Sequence, residues 1–213
     1  MAITLTSRLQ KEFNNLGISL EQRSSILTFV NPLKIKDKPT WDHSVRVGIK
    51  GAEVGRFTHI DDPKAWFYVG VLHDVGKSLT DPKSLKKTGG FGPKDKKELD
   101  RHVVDGCKLL RGAHDFTASA IRWHHYFSGG YPSRYAMPKI DIEFSEATEL
   151  KAMYLGRFTG LIDFYDAVTH RKNEKFSPGH KRLPTPEEAK ELLLKSNPDQ
   201  IHFINELYEV GIF

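Results

Sequence analysis

His73 and Asp74 stand side by side in VLHDVGKS, at the end of an apolar run. An imidazole beside a carboxylate offers one nitrogen and one hard oxygen to the same divalent ion, and the carboxylate can reach a second ion as well. The dipeptide alone is unspecific. Its company is not. His43 lies upstream in WDHSVRVG, His102 downstream in LDRHVVDG, His124 and His125 follow in RWHHYFSGGYP, and Asp163 comes last in LIDFYDAVTH. So many metal-binding side chains on separate segments point to a two-metal hydrolytic site. There, ions lower the pKa of water and hydroxide becomes the nucleophile. The lone cysteine, Cys107, excludes a thiolate-built zinc site and an internal disulfide framework. Its apolar helical surroundings mark it as a small buried hydrophobe.

Helices must carry these residues, because strand-like alternation is nearly absent. The pattern predicts helices over about 2–15, 20–29, 40–57, 63–77, 95–111, 115–126, 145–172, 186–195 and 199–209. Ser19 with Gln22 reads as a capping box, and Thr185-Pro186-Glu187-Glu188 adds a proline at the first helical position. Ala152, Leu155, Phe158, Thr159 and Ile162 recur at three- and four-residue steps, which is one face of an amphipathic helix. Adjacent helical residues point about 100° apart. His124 and His125 can therefore serve one centre only near a helix end, and Gly129 and Gly130 place such an end close by. The glycine- and proline-rich segments 78–94, 127–144 and 173–184 would lie around one opening. The expected fold is all-α, a single helical bundle spanning 1–213 with its metal-site core at about 41–172.

Taken in order, these residues resemble the HD superfamily of metal-dependent phosphohydrolases, and within it the HD-GYP branch of cyclic dinucleotide phosphodiesterases. The resemblance runs from about Trp41 to Lys172. It rests on His43, on His73-Asp74-Val75-Gly76-Lys77, on His102 and on His124-His125. Gly130-Tyr131-Pro132 and Asp163-Phe164-Tyr165-Asp166-Ala167-Val168-Thr169 complete it. It implies that His43, His73, Asp74 and Asp163 hold one ion and that His102, His124 and His125 hold the other, with Asp74 bridging. Iron or manganese suits such a donor set, with magnesium, nickel or zinc possible on purification. Lys77 is expected to meet substrate phosphate and, with Asp74, to carry catalysis. Gly130, Tyr131, Pro132, Arg171 and Lys172 are candidate substrate contacts. Asp166, on the face of Asp163, is expected to hydrogen-bond a ligand histidine.

The pattern is departed from at two places. Pro39 stands where three-metal relatives carry a glutamate, so a third ion is not expected, and Tyr126 follows the double histidine where glutamate is common. The residues before His43 are too few for a sensory domain, which implies a stand-alone enzyme. The expected substrate is a small nucleotide, cyclic di-GMP or cyclic GMP-AMP, opened to a linear product. The alternatives are hydrolysis of nucleoside mono- or triphosphates, oxygen-dependent chemistry at di-iron, and a non-catalytic nucleotide sensor. A net charge of +5 favours anionic ligands, but no nucleic-acid-binding signature accompanies it. No apolar run reaches the roughly 20 residues that span a bilayer, and the N-terminus lacks a secretion signal. A cytoplasmic protein is expected; its oligomeric state is open.

Overall fold

The computed structural model describes residues 4–87, 90, 92–133, 136–139, 142–171 and 182–213. Among them there are helices and turns and no strand, so the fold is all-α. Helix α1 is Leu5–Asn15, α2 Leu20–Lys36, α3 Lys38–Thr58, α4 Pro63–Leu72, α5 Pro82–Leu85 and α6 Pro93–Asp100. Then come α7 His102–Leu110, α8 Asp115–Ile121, α9 Tyr126–Gly129, α10 Glu146–His170, α11 Pro186–Ser196 and α12 Ile201–Glu209. Helix α3 packs along α4, and α10 lies across both and against α8. Helix α2 covers α3, and α11 leans on α10. No helix among the described residues is long and apolar enough to cross a membrane.

Local chemistry explains most of the boundaries. Ser19 and Gln22 form a reciprocal capping box at the start of α2, and Thr185 and Glu188 do the same for α11. The face of α10 bearing Ala152, Leu155, Phe158, Thr159 and Ile162 is buried throughout. Trp66 of α4 meets Phe158 of α10 with ring centroids 5.5 Å apart. Cys107 is buried, and burial pushes its thiol up to about 12, consistent with an inert packing role.

Four expected helices change their bounds, and two short helices, α5 and α9, form in or at the edge of the glycine- and proline-rich segments 78–94 and 127–144. Helix α2 continues through Pro32 to Lys36 rather than stopping at 29, because Ile26, Val30 and Leu33 are buried on one face and their packing outweighs the proline penalty. The helix expected over 63–77 ends at Leu72, and a 3-10 turn, Val75–Ser78, follows. The one expected over 95–111 breaks at Arg101 into α6 and α7. The one expected over 115–126 ends at Ile121. The last three breaks fall at or beside His73-Asp74, His102 and His124-His125. A continuous helix would turn adjacent side chains away from a common point.

Candidate metal centre

The ends of α4 and α8, the start of α7, the second turn of α3 and the last turns of α10 converge. They bring His43, His73, Asp74, His102, His124, His125 and Asp163 together. Three groups have donor atoms all within 4.8 Å of one another: His43 with His73 and Asp163, His102 with His124 and His125, and His73 with Asp74 and His124. Asp74 lies between the halves. Its Oδ1 is 3.3 Å from His102 Nε2, while Oδ2 is 3.4 Å from His73 Nε2 and 3.7 Å from His43 Nε2. The carboxylate of Asp163 likewise divides, with Oδ1 at 2.8 Å from His43 Nε2 and Oδ2 at 3.8 Å from His125 Nε2.

The outward-facing ring nitrogens fix which atoms point inward. His73 Nδ1 donates to Gly70 O at 2.7 Å, and His102 Nδ1 to Leu99 O at 2.6 Å. His124 Nδ1 donates to Ile121 O, and His43 Nδ1 to Asp166 Oδ2 at 2.6 Å. Carbonyl and carboxylate oxygens only accept, so each Nδ1 carries the proton and each Nε2 presents a lone pair. His102 Nε2 and His124 Nε2 are 3.2 Å apart, two lone pairs facing one another. His43 Nε2, His73 Nε2 and Asp74 Oδ1 are buried without a hydrogen-bond partner. His43 Nε2 and Asp163 Oδ1 are close but outside hydrogen-bond geometry. Buried acceptors crowded this way are costly unless a cation neutralises them. The donor set therefore fits divalent metal.

Electrostatics divide the histidines. Burial pushes His102 down to about 3 and His125 to about 4, and it holds His124 well below its usual value. Burial also opposes charge on His73, but Asp74 and Asp163 outweigh it and raise that residue. Burial acts against ionisation of Asp74 and Asp163 too. Lys77 and the histidines around Asp74, and His43, His73 and His125 around Asp163, nonetheless keep both well below the usual range.

Close backbone approach positions the halves. A Cβ on Gly76 would lie 1.9 Å from His102 O, and one on Gly160 would lie 2.0 Å from His124 O. Only glycine lets the 3-10 turn meet α7 and lets α10 meet the double-histidine turn.

Of the candidate substrate contacts, Lys77 stands with Nζ 2.6 Å from Asp74 Oδ2. It sits in the 3-10 turn rather than on a continuing helix. Gly130 adopts φ 69° and the Tyr131–Pro132 peptide is cis. The Tyr131 ring lies 4.7 Å from that of His125 at 31°. Tyr131 and Pro132 also face α6 and α7 across a cavity of about 410 Å³. Arg171 Nη2 is buried with no hydrogen-bond partner among the described residues. Lys172, and most of the segment 173–184, lie outside the described residues. His170 Nδ1 is 3.3 Å from Asp166 Oδ1.

Arg46 is the residue that sequence reasoning missed. Its Nε and Nη2 reach Asp166 Oδ1 and Oδ2 at 2.6 and 2.8 Å, and Asp166 is held well below the usual carboxylate range. Burial opposes this, but hydrogen bonds from Arg46 and His43 prevail. The available signal was its position three residues after His43, on the same helical face.

The HD domain profile matches residues 40–190. The chain is also similar to the cyclic di-GMP phosphodiesterase PA4108 of Pseudomonas aeruginosa, with 27% identity over 157 residues. That match takes in 70% of this chain and 35% of the relative, so the chain spans about a third of that protein's length.

Proposed function

The chain belongs to the HD domain family of metal-dependent phosphohydrolases, and from that premise we propose that it is a phosphodiesterase of the HD-GYP type that opens a cyclic dinucleotide, cyclic di-GMP or cyclic GMP-AMP, to a linear product. The observation that carries the reading is the placement of Asp74 between two imidazole clusters, each with lone pairs aimed inward. The similarity to a cyclic di-GMP phosphodiesterase and the Gly130-Tyr131-Pro132 turn beside His125 support the substrate class.

His43, His73, Asp74 and Asp163 would hold one ion, and His102, His124 and His125 the other, with Asp74 shared. Iron or manganese matches these nitrogen and oxygen donors. Bound there, a pair of ions would supply a water of lowered pKa and positive charge beside the phosphodiester oxygens. The chain's own residues do the rest. Lys77, on a short turn beside Asp74, offers an ammonium to a phosphate oxygen, and Arg171 has a spare N–H for the same purpose. Tyr131 presents a ring next to the cluster on which a base can stack. Burial favours the uncharged form of His102, His124 and His125, with their lone pairs available.

Incubating manganese- or iron-loaded protein with cyclic di-GMP and with cyclic GMP-AMP, and resolving products by chromatography, tests this. Linear dinucleotide is the expected product. Loaded protein that turns over neither ring, or that instead releases phosphate from nucleoside mono- or triphosphates, ends the proposal.

A further inference from the structure

Asp166 receives an unusual concentration of donors. His43 Nδ1 donates to it at 2.6 Å, and the Arg46 guanidinium takes both oxygens at 2.6 and 2.8 Å. His170 stands 3.3 Å away on its own helix. The carboxylate is nearly fully buried, while the Arg46 side chain keeps 22% of its surface exposed. A bidentate fork fixes the plane of a carboxylate as a single contact cannot. That plane in turn dictates the rotation of the His43 ring and keeps the proton on Nδ1, leaving Nε2 free to ligate.

Among the described residues the other half shows no such device, and His73 within the first half also leans on a main-chain carbonyl, that of Gly70. His102 and His124 lean on the main-chain carbonyls of Leu99 and Ile121, three residues before each. Those acceptors are set by the local turn and need no distant side chain.

We propose that Arg46 is a positioning residue, acting through Asp166 and His43 on one ion of the pair and leaving the other untouched. The inference rests on the two-ion reading. Its signature is asymmetry. Replacing Arg46 weakens one metal site by about 10- to 100-fold, the range seen when partners behind a ligand are lost. Lysine does not restore the full effect, because a single ammonium does not span both carboxylate oxygens.

The test is Mn2+ titration of wild-type, Arg46→Ala, Arg46→Lys and Asp166→Asn proteins against a chromophoric chelator. Electron paramagnetic resonance then distinguishes coupled from isolated ions, and circular dichroism monitors the fold. Two sites in the wild type are expected, with one weakened in Arg46→Ala and Asp166→Asn and by less in Arg46→Lys. The coupled signal should give way to that of an isolated ion. Arg46→Lys keeps a cation beside the buried carboxylate, so it remains informative should Arg46→Ala fold poorly. Two sites weakened equally, or neither weakened, overturns the inference and leaves the dinuclear reading standing. Wild-type protein that takes up fewer than two ions removes that reading, and the inference falls with it.

Discussion

The two halves of the candidate centre present the same imidazole donors, yet His43 is fixed by other means than His73, His102 and His124. Around His43 the supports are charged side chains from distant segments: Asp166 on α10 and Arg46 on α3, 120 residues apart. Around His102 and His124 they are backbone carbonyls from the preceding turn. The first half exists only once α3 and α10 have docked. The second is set locally, within single turns, although its members must still be brought together. The difference also reaches charge. His73 is raised by the carboxylates near it, whereas burial lowers His102, His124 and His125.

The contrast is broken most completely at the residue both halves share. Asp74→Ala should abolish metal uptake at both sites and reduce turnover to background, with helical content by circular dichroism nearly unchanged; metal analysis of the purified variant checks it. Next comes the contact that joins the halves. Gly76→Ala places a methyl 1.9 Å from His102 O, so backbone must shift, at a cost of about 1–3 kcal/mol or more. Thermal unfolding should fall by several degrees, with loss of metal coupling, whereas Gly112→Ala, strained by a φ of 81° but facing open space, should cost stability without touching the metals.

Lys77→Ala tests a residue that contacts Asp74 but is read as serving substrate. Metal content should persist while kcat/KM drops on the order of 10- to 100-fold, the worth of one charge-assisted hydrogen bond; loss of metal instead would move Lys77 from substrate to structure.

The mildest perturbation is acid, which alters no residue, applied to chelator-treated protein. The folded pKa values of His102 and His125, about 3 and 4, lie below the ordinary 6.5, so between about 6.5 and 4 the unfolded chain binds more protons. Stability therefore falls as pH falls through that window, by up to about 1.4 kcal/mol per histidine for each pH unit. His73, raised, acts in the opposite sense: its contribution is present below 6.5 and disappears as pH climbs through its folded value. Melting temperatures against pH should accordingly flatten on the acid side in His102→Asn and on the neutral-to-alkaline side in His73→Asn.

The all-α class, the capping boxes and the buried face of α10 were legible because each is written in local spacing. The ligand candidates were legible because histidines and aspartates, unspecific one pair at a time, come in an ordered series that includes a double histidine. What was hidden has physical reasons. The helix ends at Leu72 and Ile121 and the break at Arg101 are imposed by the need to face a common point. No local propensity announces that need. Pro32 reads as a stop until the buried neighbours of α2 are known. Arg46 looks like any solvated charge on a helix, since its partner Asp166 lies far along the chain. Gly76 and Gly160 look like routine flexibility until another segment's carbonyl is seen against them.

At Gly76 main chain abuts main chain, with no side chain intervening. The span from the HD turn to the helix that begins at His102 is thus a property of the polypeptide itself, and the fold serves as a caliper. Exchanging one donor type for another would change which cation is gripped, while the jaws would keep their opening.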